Sequence, residues 1–179
     1  FNLNLDADGV TEVEWKLKPG AVVNGRVTAK DGSPLAGIAI QSGFDRFSSN
    51  RKNPATTTDA QGRYRLGGIE AGQAIVHAFS EKHAPAMTKV LAELSRPAEI
   101  DFVLEPGQPV TGQVTDPAGK PVNDAWLVTD TWNGVRMFRR ETQTDADGRF
   151  ELEHMPATPT RVDVIKENYV SKRDLTVTP

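Results

Sequence analysis

The turns Asp6-Ala7-Asp8-Gly9 and Asp145-Ala146-Asp147-Gly148 set carboxylates at alternating positions, a spacing that could offer oxygen ligands to a hard cation such as calcium. A calcium loop supplies about six to eight oxygens, however, and each turn offers two carboxylates with no bidentate Glu after them. The related turn Asp59-Ala60-Gln61-Gly62 lacks even the second. Asp and Gly satisfy the backbone of a tight turn unaided, so the three segments are read as hairpin turns and no metal is expected. His77, His83 and His154 do not fall at a ligand spacing and are assigned structural roles. Nucleophile elbows, His-Glu-x-x-His and glycine-rich phosphate loops are all missing, and no Ser stands near a His with an orienting acid. Paired carboxylates of the glycosidase kind are invisible in sequence. The chain is expected to be non-catalytic, with no cofactor.

The chemistry that remains is binding chemistry. Two loops, 43–52 and 131–140, combine aromatics with arginines: Phe44, Arg46 and Phe47 in one, Trp132, Arg136 and Phe138 in the other. Aromatic faces beside guanidinium donors suit sugar rings or acidic polymers, and loops on a rigid scaffold are where such sites are placed. The competing reading, which is preferred, has these aromatics covering the open ends of the scaffold or an interface within the chain, because exposed aromatics are costly unless used.

The elements that must hold these loops are strands. Among 179 residues Val (17) and Thr (16) nearly match Ala (18) while Leu is 11, and Gly plus Pro number 27. That composition favours short β-strands joined by tight turns and leaves little room for long helices. The absence of Cys excludes a disulfide framework, thiolate metal sites and a Cys nucleophile. A formal net charge of -3 provides no basic field for nucleic acid, and no apolar run is long enough for membrane insertion. The N-terminus, Phe-Asn-Leu-Asn, has neither an initiator Met nor a signal peptide's regions, so the chain is expected to be part of something longer.

The chain repeats itself. At an offset of 87, eight of the 24 positions from 19 to 42 are identical, among them Gly25/Gly112, Val27/Val114, Gly32/Gly119 and Pro34/Pro121. At an offset of 86, residues 58–66 match 144–152 at six of nine positions, with Tyr64/Phe150 conservative. A unit written twice implies two tandem domains, 19–105 and 106–179. Strands are expected at 22–28, 37–42, 55–59, 63–66, 74–80, 87–94 and 98–104, and again at 110–115, 125–131, 142–145, 149–153, 161–166 and 170–178. Alternation turns Tyr64, Leu66, Phe150 and Leu152 inward and Arg63, Arg65 and Glu151 toward water. A third, partial copy lies in front: Trp15-Lys16-Leu17-Lys18-Pro19-Gly20 parallels Phe102-Val103-Leu104-Glu105-Pro106-Gly107, so 1–18 is read as the closing hairpin of a preceding repeat. The second repeat ends before any counterpart of 98–104. Its last strand is then cut away or supplied from elsewhere, and the edge left open invites strand exchange between chains, with residues 10–17 a candidate donor.

The pattern Gly25-x-Val27, Gly32-x-Pro34, Thr58-Asp59-x-x-Gly62-x-Tyr64-x-Leu66, repeated as Gly112-x-Val114, Gly119-x-Pro121, Thr144-Asp145-x-x-Gly148-x-Phe150-x-Leu152, resembles the carboxypeptidase regulatory-like domain. The resemblance covers both repeats. It implies an all-β fold of tandem seven-stranded, Greek-key-type, transthyretin-like (prealbumin-type) β-sandwiches, in modules that are usually non-catalytic appendages of large bacterial proteins, often secreted or attached to the envelope. No functional residue set carries over with it. Related adhesin repeats use a Lys on an early strand for an isopeptide crosslink, and the equivalent strands here carry Arg26 and Gln113, so no crosslink is expected. The expected role is a structural spacer in an extracytoplasmic protein (periplasmic, cell-surface or secreted), its partners the other domains of the parent chain. The alternative is a carbohydrate-binding module that uses the two aromatic loops on a polysaccharide.

Overall fold

A computed structural model of the chain describes residues 15–43, 53–136 and 139–179. Among them every regular element is a β-strand. The first repeat supplies β1 (Ala21–Ala29), β2 (Ala39–Ser42), β3 (Ala55–Thr57), β4 (Arg63–Ile69), β5 (Gly72–Ser80), β6 (His83–Ala92), β7 (Ala98–Glu99) and β8 (Phe102–Leu104). The second supplies β9 (Gln108–Gln113), β10 (Trp126–Trp132), β11 (Glu141–Gln143), β12 (Arg149–Met155), β13 (Thr160–Ile165) and β14 (Lys172–Val177).

The Thr-Asp-x-x-Gly motif builds the same turn twice. Thr58 Oγ1 accepts from Ile38 N–H at 2.9 Å and donates to Leu35 O at 2.6 Å, while Thr144 Oγ1 accepts from Ala125 N–H at 2.9 Å and donates to Val122 O at 2.7 Å. The next residue closes the turn: Asp59 Oδ1 accepts from the N–H groups of Gln61 and Arg63, Asp145 Oδ1 from those of Asp147 and Arg149. Gly62 (φ 73°) and Gly148 (φ 71°) then pass under the first strand of each repeat, where an added Cβ would lie 2.4 Å from Val27 O and 2.5 Å from Val114 O. A side chain is excluded there by both backbone angle and space.

Each repeat splits its strands between two layers. In the first, one sheet runs β4-β1-β7, with β8 also on β1, and the other runs β3-β2-β5-β6. Val23, Val27, Ile40, Tyr64, Leu66, Val76, Phe102 and Leu104 fill the space between them. In the second, β11-β10-β13-β14 matches the latter sheet, and its core gathers Val110, Leu127, Trp132, Leu152, Met155 and Val162. The opposing layer is the pair β12-β9, so among the described residues β9 is paired along one side.

Two expectations need correction. The segment 98–104, expected as one strand, forms two short strands parallel to β1, with Val23↔Ala98 and Val27↔Phe102 in register. Side chains interrupt the ladder between them: Arg26 N–H donates to the Asp101 carboxylate at 2.7 Å, and the Tyr64 hydroxyl donates to Ile100 O at 2.7 Å. The second concerns Phe150, which packs against the second core as expected but is only half-buried, whereas its counterpart Tyr64 is buried.

Candidate functional site

Of the residues singled out for ligand binding, Phe44, Arg46, Phe47 and Phe138 lie outside the described residues. Trp132 does not offer a ring face to a ligand: it is 7% exposed, belongs to the second core and donates from Nε1 to Thr158 Oγ1 at 2.7 Å. The local sequence explains the inward turn. Asn133 (φ 48°) and Gly134 (φ 78°) form a two-residue hairpin closed by Trp132 N–H to Val135 O at 3.0 Å and Val135 N–H to Trp132 O at 2.9 Å. Asn-Gly is the dipeptide that such a turn demands, since both central residues need positive φ. It is a signal the reading of this loop as a binding surface passed over.

Arg136 is directed at Asp130, with Nε 3.2 Å from the buried carboxylate, which also accepts from Thr131 Oγ1 at 2.6 Å. Beside this pair a cavity of about 410 Å³ opens between Arg136, Arg139, Arg173, Asp130 and Asp163. Arg139 is itself paired with Glu141. The Arg136 and Arg139 guanidinium groups therefore face carboxylates of the same chain.

The better-built feature of this loop is a seam between the repeats. Val135, carried by the Asn133-Gly134 turn, is buried against Ile75 of β5 and Met87 of β6. Arg140 reaches the same hairpin: Nη2 donates to Ser80 O at 2.5 Å and His83 O at 2.9 Å, while its own N–H is held by Thr129 Oγ1 at 2.8 Å. Burial lowers the Arg140 guanidinium from its ordinary range, with Glu81 and Glu153 acting in the opposite direction. Part of the outer face of the first repeat's β5 and β6, at Ile75 and Met87, is thus covered by the second repeat. A sequence signal for this existed in Ala74–Ala78, a run buried at five successive positions; strands buried on both faces read as continuous rather than alternating.

His77 shares the Ile75 face of β5 and is buried, its Nε2 without a partner among the described residues. Burial pushes its pKa from 6.5 down to about 4. The ring is neutral in the fold, whereas the unfolded chain takes up a proton below about 6.5, so stability rises with pH across this window. The contribution is fully present above 6.5 and is lost as pH falls toward 4, a change of up to about 3 kcal/mol. Thermal melts between pH 7 and 4.5 should show this loss, and His77→Leu should flatten the slope; an unchanged slope would remove His77 as its source.

His83 is lowered by burial, then by His154 and Lys82. Its Nδ1 lies 2.9 Å from Ser80 Oγ, while His154 Nδ1 lies 2.6 Å from Pro106 O. Asp145 spends its carboxylate on its own turn, and the Asp6–Gly9 turn lies outside the described residues. No three His, Asp or Glu side chains among the described residues converge as a metal would require. Nor is any helix among them long and apolar enough to cross a membrane.

Tandem two-layer β units joined by a tight Pro-Gly link, with their motif residues spent on turns and core, define a modular β-sandwich protein. The chain belongs to the carboxypeptidase regulatory-like domain family, whose model matches residues 22–105 and 109–179. No curated protein matches it in sequence. Among solved structures it is similar to a streptococcal ancillary pilin (15% identity, covering 89% of this chain and 58% of that one, TM-score 0.40). It is also similar to the Bacillus anthracis TIE protein (14%, 90% and 31%, TM-score 0.40) and to BcpA, the major pilin subunit of Bacillus cereus (12%, 89% and 68%, TM-score 0.38). The chain spans 58% of the pilin and 31% of the TIE protein.

Proposed function

We propose that the chain is a non-catalytic tandem β-sandwich module, a structural spacer within a larger extracytoplasmic bacterial protein whose other domains are its partners. Its units are 19–105 and 106–179, with 1–18 closing a preceding repeat. The observation that carries this reading is the seam: a link of only three residues between β8 and β9, reinforced by Val135 against Ile75 and Met87 and by Arg140 on two carbonyls. A spacer must hold its ends at a fixed distance, and a flexible joint would defeat it. The extracytoplasmic setting is the one the family resemblance implies.

Backbone amide relaxation tests the reading. Both repeats should report one shared rotational diffusion tensor, and Arg140→Ala combined with Val135→Ser should split it into two faster ones with each repeat still folded. Independent tumbling of the repeats in the unaltered chain would sink the spacer role.

A further inference from the structure

The second repeat covers the outer face of β5 over part of its length and then leaves a cavity. Ile75, His77 and Phe79 alternate along that face, opposite Ala74, Val76 and Ala78 of the first core. Val135 packs on Ile75, and His77 is 2% exposed. Phe79 is only half-buried. It lines a cavity of about 590 Å³ together with Ala39 and Pro85. Ala39 is its cross-strand partner on β2, and paired residues of an antiparallel ladder share a face, so the two side chains form one floor. Arg139 and Arg140 bring a wall from the second repeat. A concave site of this size, with an aromatic surface and a few charged groups at the junction of two units, is the usual form of a small-molecule site.

The charges around the cavity do not balance. Lys82, Arg139 and Arg140 line it against one carboxylate, Glu81. The Lys82 ammonium has no partner among the described residues. Arg139 is held by Glu141 in an exposed pair, which contributes little to stability and leaves the guanidinium able to share itself with a second anion. Arg140 makes no ion pair among the described residues: Nη2 donates to the Ser80 and His83 carbonyls, and the buried Nε has no partner. A cation drawn out of water without an anion near it is costly, and an anion in the cavity offsets that cost.

We propose that this cavity binds a small organic carboxylate carried on a six-membered ring, the ring lying on Phe79 and the carboxylate turned to Lys82 and Arg139. A planar carboxylate matches the donor fork of a guanidinium, and the Phe79 face gives a ring its apolar contact. Neither repeat holds the site alone, since the floor comes from the first and two of the three cations from the second. A ligand that touches both repeats favours the docked arrangement and tightens the seam. The inference rests on the geometry of the seam and not on the spacer role.

Amide chemical-shift titrations of the full chain test it, with sodium benzoate and sodium D-glucuronate as probes and benzyl alcohol, D-glucose and sodium sulfate as controls. At least one carboxylate should give saturable shifts at Ala39 and Phe79 in the first repeat and at Arg139 in the second, where the controls at equal concentration give none. Glucuronate alone narrows the ligand to acidic sugars, and benzoate alone to aromatic acids. Lys82→Gln combined with Arg139→Gln, at exposed positions, should weaken the better probe at least about tenfold. Ala39→Leu, which fills the place of the ring, should abolish the shifts. In both variants the remaining amides keep the spectrum of the unaltered chain, so loss of binding is read apart from loss of fold. Absence of a saturable shift, shifts confined to one repeat, an equal response to a neutral control or to sulfate, or unchanged affinity in the charge variant would each overturn the proposal. Relaxation of the ligand-free chain judges the spacer role separately.

Discussion

Gly25→Ala is expected to release the closing strand of the first repeat and to lower unfolding stability by at least about 3 kcal/mol, while Gly112→Ala costs under about 1 kcal/mol. The two glycines occupy the same motif position, so neither propensity nor turn chemistry distinguishes them. What differs is the neighbour. A methyl on Gly25 would lie 1.7 Å from Ile100 O and 2.6 Å from its carbonyl carbon, and backbone cannot yield that distance without β7 and β8 leaving β1. With them would go the burial of Phe102 and Leu104 and the bond from Tyr64 to Ile100 O. Burying one such side chain is worth about 1.5–3 kcal/mol, so the estimate for Gly25 is a lower one. On Gly112 the methyl meets Phe150 Cζ at 2.7 Å, the far end of a half-buried ring that can swing aside. Urea unfolding of both variants decides the matter, and equal losses at the two sites would show that the closing strand is not what requires glycine at position 25.

What the sequence disclosed and what it hid divide along the range of the interactions. The turns were legible because they are local: Asp59 closes its own turn on the N–H groups of Gln61, Gly62 and Arg63, and the recurrence of Thr58, Asp59 and Gly62 as Thr144, Asp145 and Gly148 made the second repeat visible. Strand positions followed from period-two alternation, which Tyr64 and Leu66 obey against Arg63 and Arg65. The division of 98–104 into two strands was not legible, since it depends on Asp101 reaching Arg26 N–H across 75 residues of chain. The run Ala74–Ala78 signals a second buried face on β5, but the residue that covers it was hidden for the same reason. Ile75 sits at an outward position by alternation, and only the arrival of Val135 from the other repeat buries it. In the loop 131–140 composition left two readings open, a ligand site and, preferred, a cover within the chain; Asn133-Gly134 in its middle carries the hairpin that tucks Trp132 into the core.

Trp132→Ala should therefore act as a core deletion, destabilising the chain by about 3–5 kcal/mol, the range for removing a buried Trp. The side chain is enclosed with Leu127, Leu152, Met155 and Val162, and its loss leaves a cavity that strands already fixed by their ladders cannot collapse to fill. The Thr158 hydroxyl also loses the indole donor. Trp132→Phe keeps most of the volume and should recover more than half of the loss. A second effect separates this residue from an ordinary core position. Trp132 and Val135 exchange both backbone hydrogen bonds across the Asn133-Gly134 turn, so a residue that anchors one end of the hairpin also fixes the end that presents Val135 to Ile75 and Met87. Under conditions where the Ala variant remains folded, amide relaxation should show the two repeats tumbling less tightly coupled than in the unaltered chain, whereas a deletion of similar size on the far side of the same core, Leu152→Ala, should lower stability and leave the coupling intact. Wild-type stability in Trp132→Ala would mean that the indole is not part of the core. Loosened coupling in both variants would mean that the seam depends on the core as a whole and not on this hairpin.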